Sequence, residues 1–132
     1  AGTLSGNPVA MAAGIASLSK IYASSGLYER LGELASRLTD GLCAIANRCG
    51  IALQTACVGS MFGYFFADEE VRDYDGALRA DTARFAKFHG EMIKRGVFLA
   101  PSQFETGFIC ATMDEVQIDF ALNAADEAMA AL

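Results

Sequence analysis

The chain has 132 residues, 53% of them hydrophobic and 20% charged, with a formal net charge of −6. That composition suits one globular domain with a real core and excludes a disordered segment. The acidic balance argues against nucleic acid or an anionic membrane as partner, and no apolar run is long enough to span a bilayer.

No signal peptide opens the sequence, the cysteine usage points to a cytoplasmic protein, and a first residue Ala1 in place of Met suggests a piece of a longer chain. The opening stretch, Gly2-Thr3-Leu4-Ser5-Gly6-Asn7-Pro8, leads straight into a helix. Pro8 suits the first helical position, where its missing N–H is no loss, and Asn7 is a good N-cap. First-turn N–H groups and the positive end of the helix dipole then lie beside Thr3 and Ser5, which is the chemistry of a phosphate or carboxylate site. The same residues also read as a plain capped turn.

The first helix is expected from Pro8 to about Ser24. Its run of small residues, with Gly14 among them, predicts burial on more than one side, because an exposed Gly would cost about 1 kcal/mol relative to Ala. The second helix carries Leu27, Leu31, Leu34, Leu38, Leu42 and Ile45 at alternating steps of three and four, one apolar stripe for the core. Gly50 is its stop. Two strands follow, Leu53 to Val58 and Met61 to Phe66, joined at Gly59-Ser60 by a type II′ turn. The second is apolar on both faces, which fits cover on both sides or partial cover by a missing domain. Asp68 to Asp75 reads as a solvated acidic loop.

A third helix is expected from Gly76 to Arg95, with Leu78, Phe85, Phe88 and Met92 buried and Gly96 as its end. His89, the only histidine, lies beside that stripe and reads as a surface or hydrogen-bonded residue. Val97-Phe98-Leu99 reads as a short strand, Ala100 to Glu105 as a loop, and Gly107 to Ala111 as another strand. Thr112 and Glu115 form a capping box for a last helix with Ile118, Leu122, Ala125, Met129 and Leu132 inward. The order ααββαββα predicts an α+β fold, a small antiparallel sheet with helices packed on it.

The four cysteines, Cys43, Cys49, Cys57 and Cys110, make no C-x-x-C pair, so metal-ligand spacing is absent. They read as reduced, mostly buried small hydrophobes. Glu105 is most simply a solvated loop carboxylate. Its setting is unusual, however: Pro101 stiffens the loop, Phe104 can anchor it, and a strand follows.

Two stretches, Gly2-Thr3-Leu4-Ser5-Gly6-Asn7-Pro8 and Leu99-Ala100-Pro101-Ser102-Gln103-Phe104-Glu105, combine with Gly59-Ser60-Met61-Phe62-Gly63 into one resemblance that covers essentially the whole chain. The chain resembles the C-terminal portion of the glutamate-1-semialdehyde 2,1-aminomutase family, pyridoxal-phosphate enzymes of the class III aminotransferase type. The S-G-N-P stretch is shared with many class III aminotransferases, and L-A-P-S-x-F-E points to the aminomutases. The resemblance implies isomerisation of glutamate-1-semialdehyde to 5-aminolevulinate, the tetrapyrrole precursor, by amino transfer through a diamino intermediate. It also implies a homodimer with sites at the interface. The family's G-T pair, here Gly2 and Thr3, reaches the cofactor phosphate of the neighbouring subunit. The glutamate of S-x-F-E, here Glu105, lies near the substrate.

By the same resemblance, residues 1–25 are the phosphate-site loop and a long interdomain helix. Residues 26–132 are the C-terminal α+β domain of a fold-type I enzyme, and the large cofactor domain lies outside this chain. The chemistry needs a Schiff-base lysine. Lys20, Lys87 and Lys94 all fall on helices, and the family's lysine lies upstream, so no catalytic residue is assigned here and the piece alone is expected to be inactive. The family commonly has alanine at Thr106 and histidine at Thr112. Two other readings stand beside this one: a portion of another class III aminotransferase, and a non-catalytic domain for dimerisation or folding. Many class III transaminases hold a substrate carboxylate with arginine, and the last arginine here is Arg95, which favours the aminomutases.

Overall fold

The computed structural model describes residues 2–132; Ala1 lies outside the described residues. Helix α1 (Pro8–Ala23) is followed by α2 (Leu27–Arg48) and a hairpin of β1 (Gln54–Val58) and β2 (Met61–Phe65). Then come α3 (Tyr74–Arg79), α4 (Thr82–Lys94), the short β3 (Gly107–Phe108) and α5 (Glu115–Met129). The sheet is antiparallel in the order β1-β2-β3, giving the expected α+β class.

The stripe on α2 does what its spacing requires. Leu31, Leu34, Leu38, Leu42 and Ile45 are buried, and α2 packs on both α5 and β1. Leu122 of α5 lies so close to α2 that a Cβ at Gly41 would stand 2.5 Å from its Cδ2. The hairpin turns where expected. Val58 pairs with Met61, Gly59 has φ of 57°, and no non-glycine residue has positive φ, the type II′ pattern. Phe62 and Tyr64 of β2, and Phe66 just past it, face the helices, where Tyr64 stacks on Phe85 at 5.5 Å and Phe66 meets Phe88 edge-on at 5.6 Å. Cys57 and Thr55 share that face of the sheet and meet Ser36 and Cys43 of α2.

Several expectations are corrected. The single third helix is two helices, broken at Ala80. Asp81 caps the second by accepting from Arg84 N at 2.8 Å, while its own N–H is drawn off to Phe66 O at 2.8 Å. Asp73 caps the first through Gly76 N, so helix begins inside the expected acidic loop, and Leu78 points outward at 53% exposure. Val97-Phe98-Leu99 is not a strand, because Val97 N closes the end of α4 on Met92 O and Leu99 O bonds to His89 Nε2 at 3.1 Å. His89 is thus half-buried and hydrogen-bonded, as read.

Strand β3 stops at Phe108 instead of Ala111. Beyond Ile109, whose N–H still reaches Ser60 O, the carbonyls of Ala111 and Met113 accept from the Arg30 guanidinium at 2.7 and 2.9 Å. The last helix is capped two residues later than expected. Asp114 accepts from Val116 N, and Gln117 Oε1 accepts from Asp114 N, while Thr112 Oγ1 lies 3.1 Å from Cys110 Sγ. The resulting order is ααββααβα. None of the cysteines is fully buried: three are half-buried and Cys110 is exposed.

Helix α1 departs furthest from expectation. It has the expected bounds, but no residue of it is buried, and a Cβ at Gly14 would meet nothing within 4 Å. Val9, Met11, Ile15, Leu18 and Tyr22 all lie open.

Gly107 pairs with Phe62 across the sheet, and a Cβ built on it would stand 2.3 Å from Cζ of the Phe62 ring. Gly107→Ala must displace a buried aromatic, so in the full-length protein it is expected to destabilise by about 1–3 kcal/mol. A lowered thermal midpoint by calorimetry checks this, and an unchanged midpoint contradicts it.

Candidate functional site

The covered face of the hairpin belongs to the core; the other face does not. Ala56, Val58, Met61, Gly63 and Phe65 lie on it, and Val58 is 71% exposed. Loop 103–106 passes over this open face, and between them lies a largely apolar cleft of about 290 Å³. Glu105 borders the cleft together with Met61, Gly63 and Phe65. The carboxylate is therefore exposed, yet set against apolar surface on one side. At Gly63 a Cβ would meet only the Phe65 ring, at 3.7 Å, so nothing in the chain itself requires glycine there.

The loop is built from its own backbone. Glu105 N donates to Ser102 O at 3.1 Å, and Phe104 N donates to Ser102 Oγ at 3.2 Å. The expected anchor, Phe104, is 48% exposed and only leans on Tyr74 at 5.9 Å. The real anchor is Gln103, 5% exposed, whose Nε2 donates to Ala77 O of α3 at 3.0 Å. Sequence reasoning missed it because a glutamine in a loop carries no burial signal; its partner lies 26 residues away.

The opening stretch forms two successive turns, with Ser5 N donating to Gly2 O and Asn7 N to Leu4 O, both at 3.0 Å. Asn7 caps α1 as expected, accepting from Val9 N and Ala10 N at 3.1 and 3.2 Å. Those two N–H groups are thereby engaged, so an anion here would meet chiefly the hydroxyls of Thr3 and Ser5, both exposed. A Cβ on Gly2 would stand 2.4 Å from Ser5 Oγ, so a larger residue here would require the Ser5 hydroxyl to rotate away.

Gly2 and Thr3 do not line the cleft beside Glu105; this chain does not bring the two parts together. Lys20, Lys87 and Lys94 are exposed, none borders the cleft, and Lys94 pairs with Glu91 at 2.6 Å. Among the described residues no three His, Cys, Asp or Glu side chains gather as a metal site, and no helix is long and apolar enough to cross a membrane. Arg95 is held by Glu91 and Glu127 at 2.6 and 3.1 Å, away from the cleft lining.

No family model matches the chain. It is 63% identical over 127 residues to the glutamate-1-semialdehyde 2,1-aminomutase of Campylobacter hominis, covering 96% of this chain and 28% of that protein. It is 55% identical over all 132 residues to the enzyme of the same name from Campylobacter fetus subsp. fetus, covering 31% of it. Among solved structures, a transaminase with PLP bound superposes with a TM-score of 0.78 at 24% identity, over 98% of this chain and 28% of that one. The last likeness shows the fold alone. The first two cover 96% and 100% of this sequence, and on that ground the chain belongs to the glutamate-1-semialdehyde 2,1-aminomutase family, spanning about three-tenths of the length of the curated relatives it matches.

Proposed function

We propose that this chain is the C-terminal portion of a pyridoxal-phosphate enzyme that isomerises glutamate-1-semialdehyde to 5-aminolevulinate. The observation that carries the reading is the 55–63% identity to enzymes of that name across the chain. The residues present fit part of the cofactor. The opening turn exposes the hydroxyls of Thr3 and Ser5 and stands at the N-terminal end of a helix. That donor set suits a phosphate. The exposed lysines do not suit the cofactor's aldehyde, so that lysine is supplied by the rest of the protein.

When bound, the cofactor supplies an electron sink and an amino-group carrier. This chain's residues do the holding. Gly2 and Thr3 fix the phosphate, across a dimer interface in the family's arrangement. The exposure of α1, with five large apolar residues open, supports its packing between domains or subunits. Residues 1–25 are then the interdomain piece and residues 26–132 the C-terminal domain. Glu105 faces the substrate and pairs with its ammonium. The apolar face of the hairpin keeps water from that pair and so strengthens it. Four free cysteines support a reducing compartment, for which we read the cytoplasm. The net charge of −6 supports small-molecule chemistry over nucleic-acid or membrane binding.

The direct test is to supply glutamate-1-semialdehyde to the full-length protein and measure 5-aminolevulinate. Transfer of the amino group to an added keto acid, with no 5-aminolevulinate formed, would replace this reading with an ordinary transaminase.

Thr3→Ala removes one hydrogen bond to a charged phosphate, worth about 1.5–3 kcal/mol. Cofactor affinity of the full-length variant, titrated by fluorescence, is expected to fall about ten- to a hundredfold. Equal affinity would remove Thr3 from the phosphate site.

Glu105→Gln keeps the shape and removes the charge. A charged hydrogen bond of about 1.5–3 kcal/mol corresponds to a loss of about ten- to a hundredfold in kcat/KM for glutamate-1-semialdehyde. Escape of the diamino compound into solution should rise in parallel. Unchanged partition and yield would return Glu105 to a solvated loop carboxylate.

A further inference from the structure

Two buried polar atoms have no hydrogen-bond partner among the described residues: the Tyr64 hydroxyl and Gln103 Oε1. Their side chains are deeply enclosed, at 7% and 5% exposure. Protein interiors rarely leave such groups unpaired. These two share a setting, because Tyr64 and Gln103 line one small cavity between β2 and the loop that follows α4. Its volume is about 20 Å³. One water needs about 10–15 Å³ measured in this way, and two to four polar partners. The cavity therefore has room for a single water and for little else.

The two atoms are complementary. The Gln103 amide nitrogen is committed to Ala77 O, which leaves the carbonyl oxygen, an acceptor, without a partner. Burial pushes ionisation of the Tyr64 phenol upward, so at neutral pH it keeps its proton and can donate. Ser102 and Glu105 also border the cavity and offer a further polar neighbour.

We propose that one buried water occupies this cavity, accepting from the Tyr64 hydroxyl and donating to Gln103 Oε1, and that it seats the loop carrying Glu105 on β2. Gln103 is then a positioning residue at the centre of a relay: α3 backbone to amide nitrogen, amide oxygen to water, water to strand. Glu105 stands two residues further on. The water site holds whatever the enzyme's substrate, so its test does not depend on the reaction.

The experiment is a crystal structure of the full-length protein, at a resolution that places waters, alongside Tyr64→Phe. The wild type is expected to show one water about 2.7–3.2 Å from both atoms, and the variant, which keeps the ring, to lose it. In solution, the Glu105 amide should exchange its hydrogen about fivefold faster in Tyr64→Phe, the loss of one ordinary hydrogen bond. Gln103→Leu should speed that exchange further, because it also breaks the bond to Ala77. An empty cavity, a direct Tyr64–Gln103 bond, or a side chain from elsewhere in the protein filling the space would overturn the proposal. Exchange at Glu105 that does not change in Tyr64→Phe would overturn the seating role.

Discussion

The stripe along α2 has to be covered from two directions at once, and the rest of the chain is arranged to do it. Helix α5 lies against one flank, close enough that Leu122 sits over Gly41, and the hairpin lies against the other through Thr55 and Cys57. Helix α4 then fills the angle between α5 and the sheet with Phe85, Phe88 and Met92. Ion pairs such as Arg37–Asp119 and Arg48–Asp126 ring this core, but their side chains are about half exposed and add little. With all cover spent on one side of the hairpin, its other face stays open, and the cleft beside Glu105 follows from that.

What could be read from sequence alone follows the range of the forces involved. The α2 stripe, the hairpin turn at Gly59 and the Asn7 cap are set by contacts within a few residues, and each stands as read. The misreadings share another cause. Helix breaks at Ala80 because Phe66 O captures the N–H of Asp81, and β3 ends early because Arg30 takes the carbonyls of Ala111 and Met113. Val97 to Leu99 stays irregular because α4 and His89 bind its backbone. Phe66 lies 15 residues from Asp81, Arg30 and His89 act through side chains, and Met92 O, five residues from Val97, closes the helix end; backbone propensity registers none of these. At the site, the turn at Gly2 and Thr3 was visible as a pattern, and Glu105 was visible through a family motif. Gln103 was not visible, since a buried polar anchor looks like any loop residue until its partner is known.

The two halves of the proposed site differ in stiffness. Glu105 sits on a loop tied at Ser102 and Gln103 to a packed core. Gly2 and Thr3 sit on turns that lead into α1, a helix with no fully buried residue. A carboxylate held by the domain interior keeps its place relative to the hairpin. A phosphate loop held by α1 takes its place from whatever fixes α1. In the proposed site, the distance between phosphate loop and carboxylate would thus depend on what α1 packs against as much as on folding within this chain.

Helix α1 buries none of its residues fully against the rest of the chain, and only Ile21 is half-buried. At 16 residues it is near the length at which an isolated helix is marginal in water. Under the proposed packing of α1 between domains or subunits, its helicity and its docking are therefore one equilibrium. Any residue that raises its intrinsic helical preference lowers the ordering entropy lost on docking and so tightens the assembled state, without touching a single contact. Its alanines then act as affinity determinants, and Gly14 becomes the position where that affinity is most readily tuned.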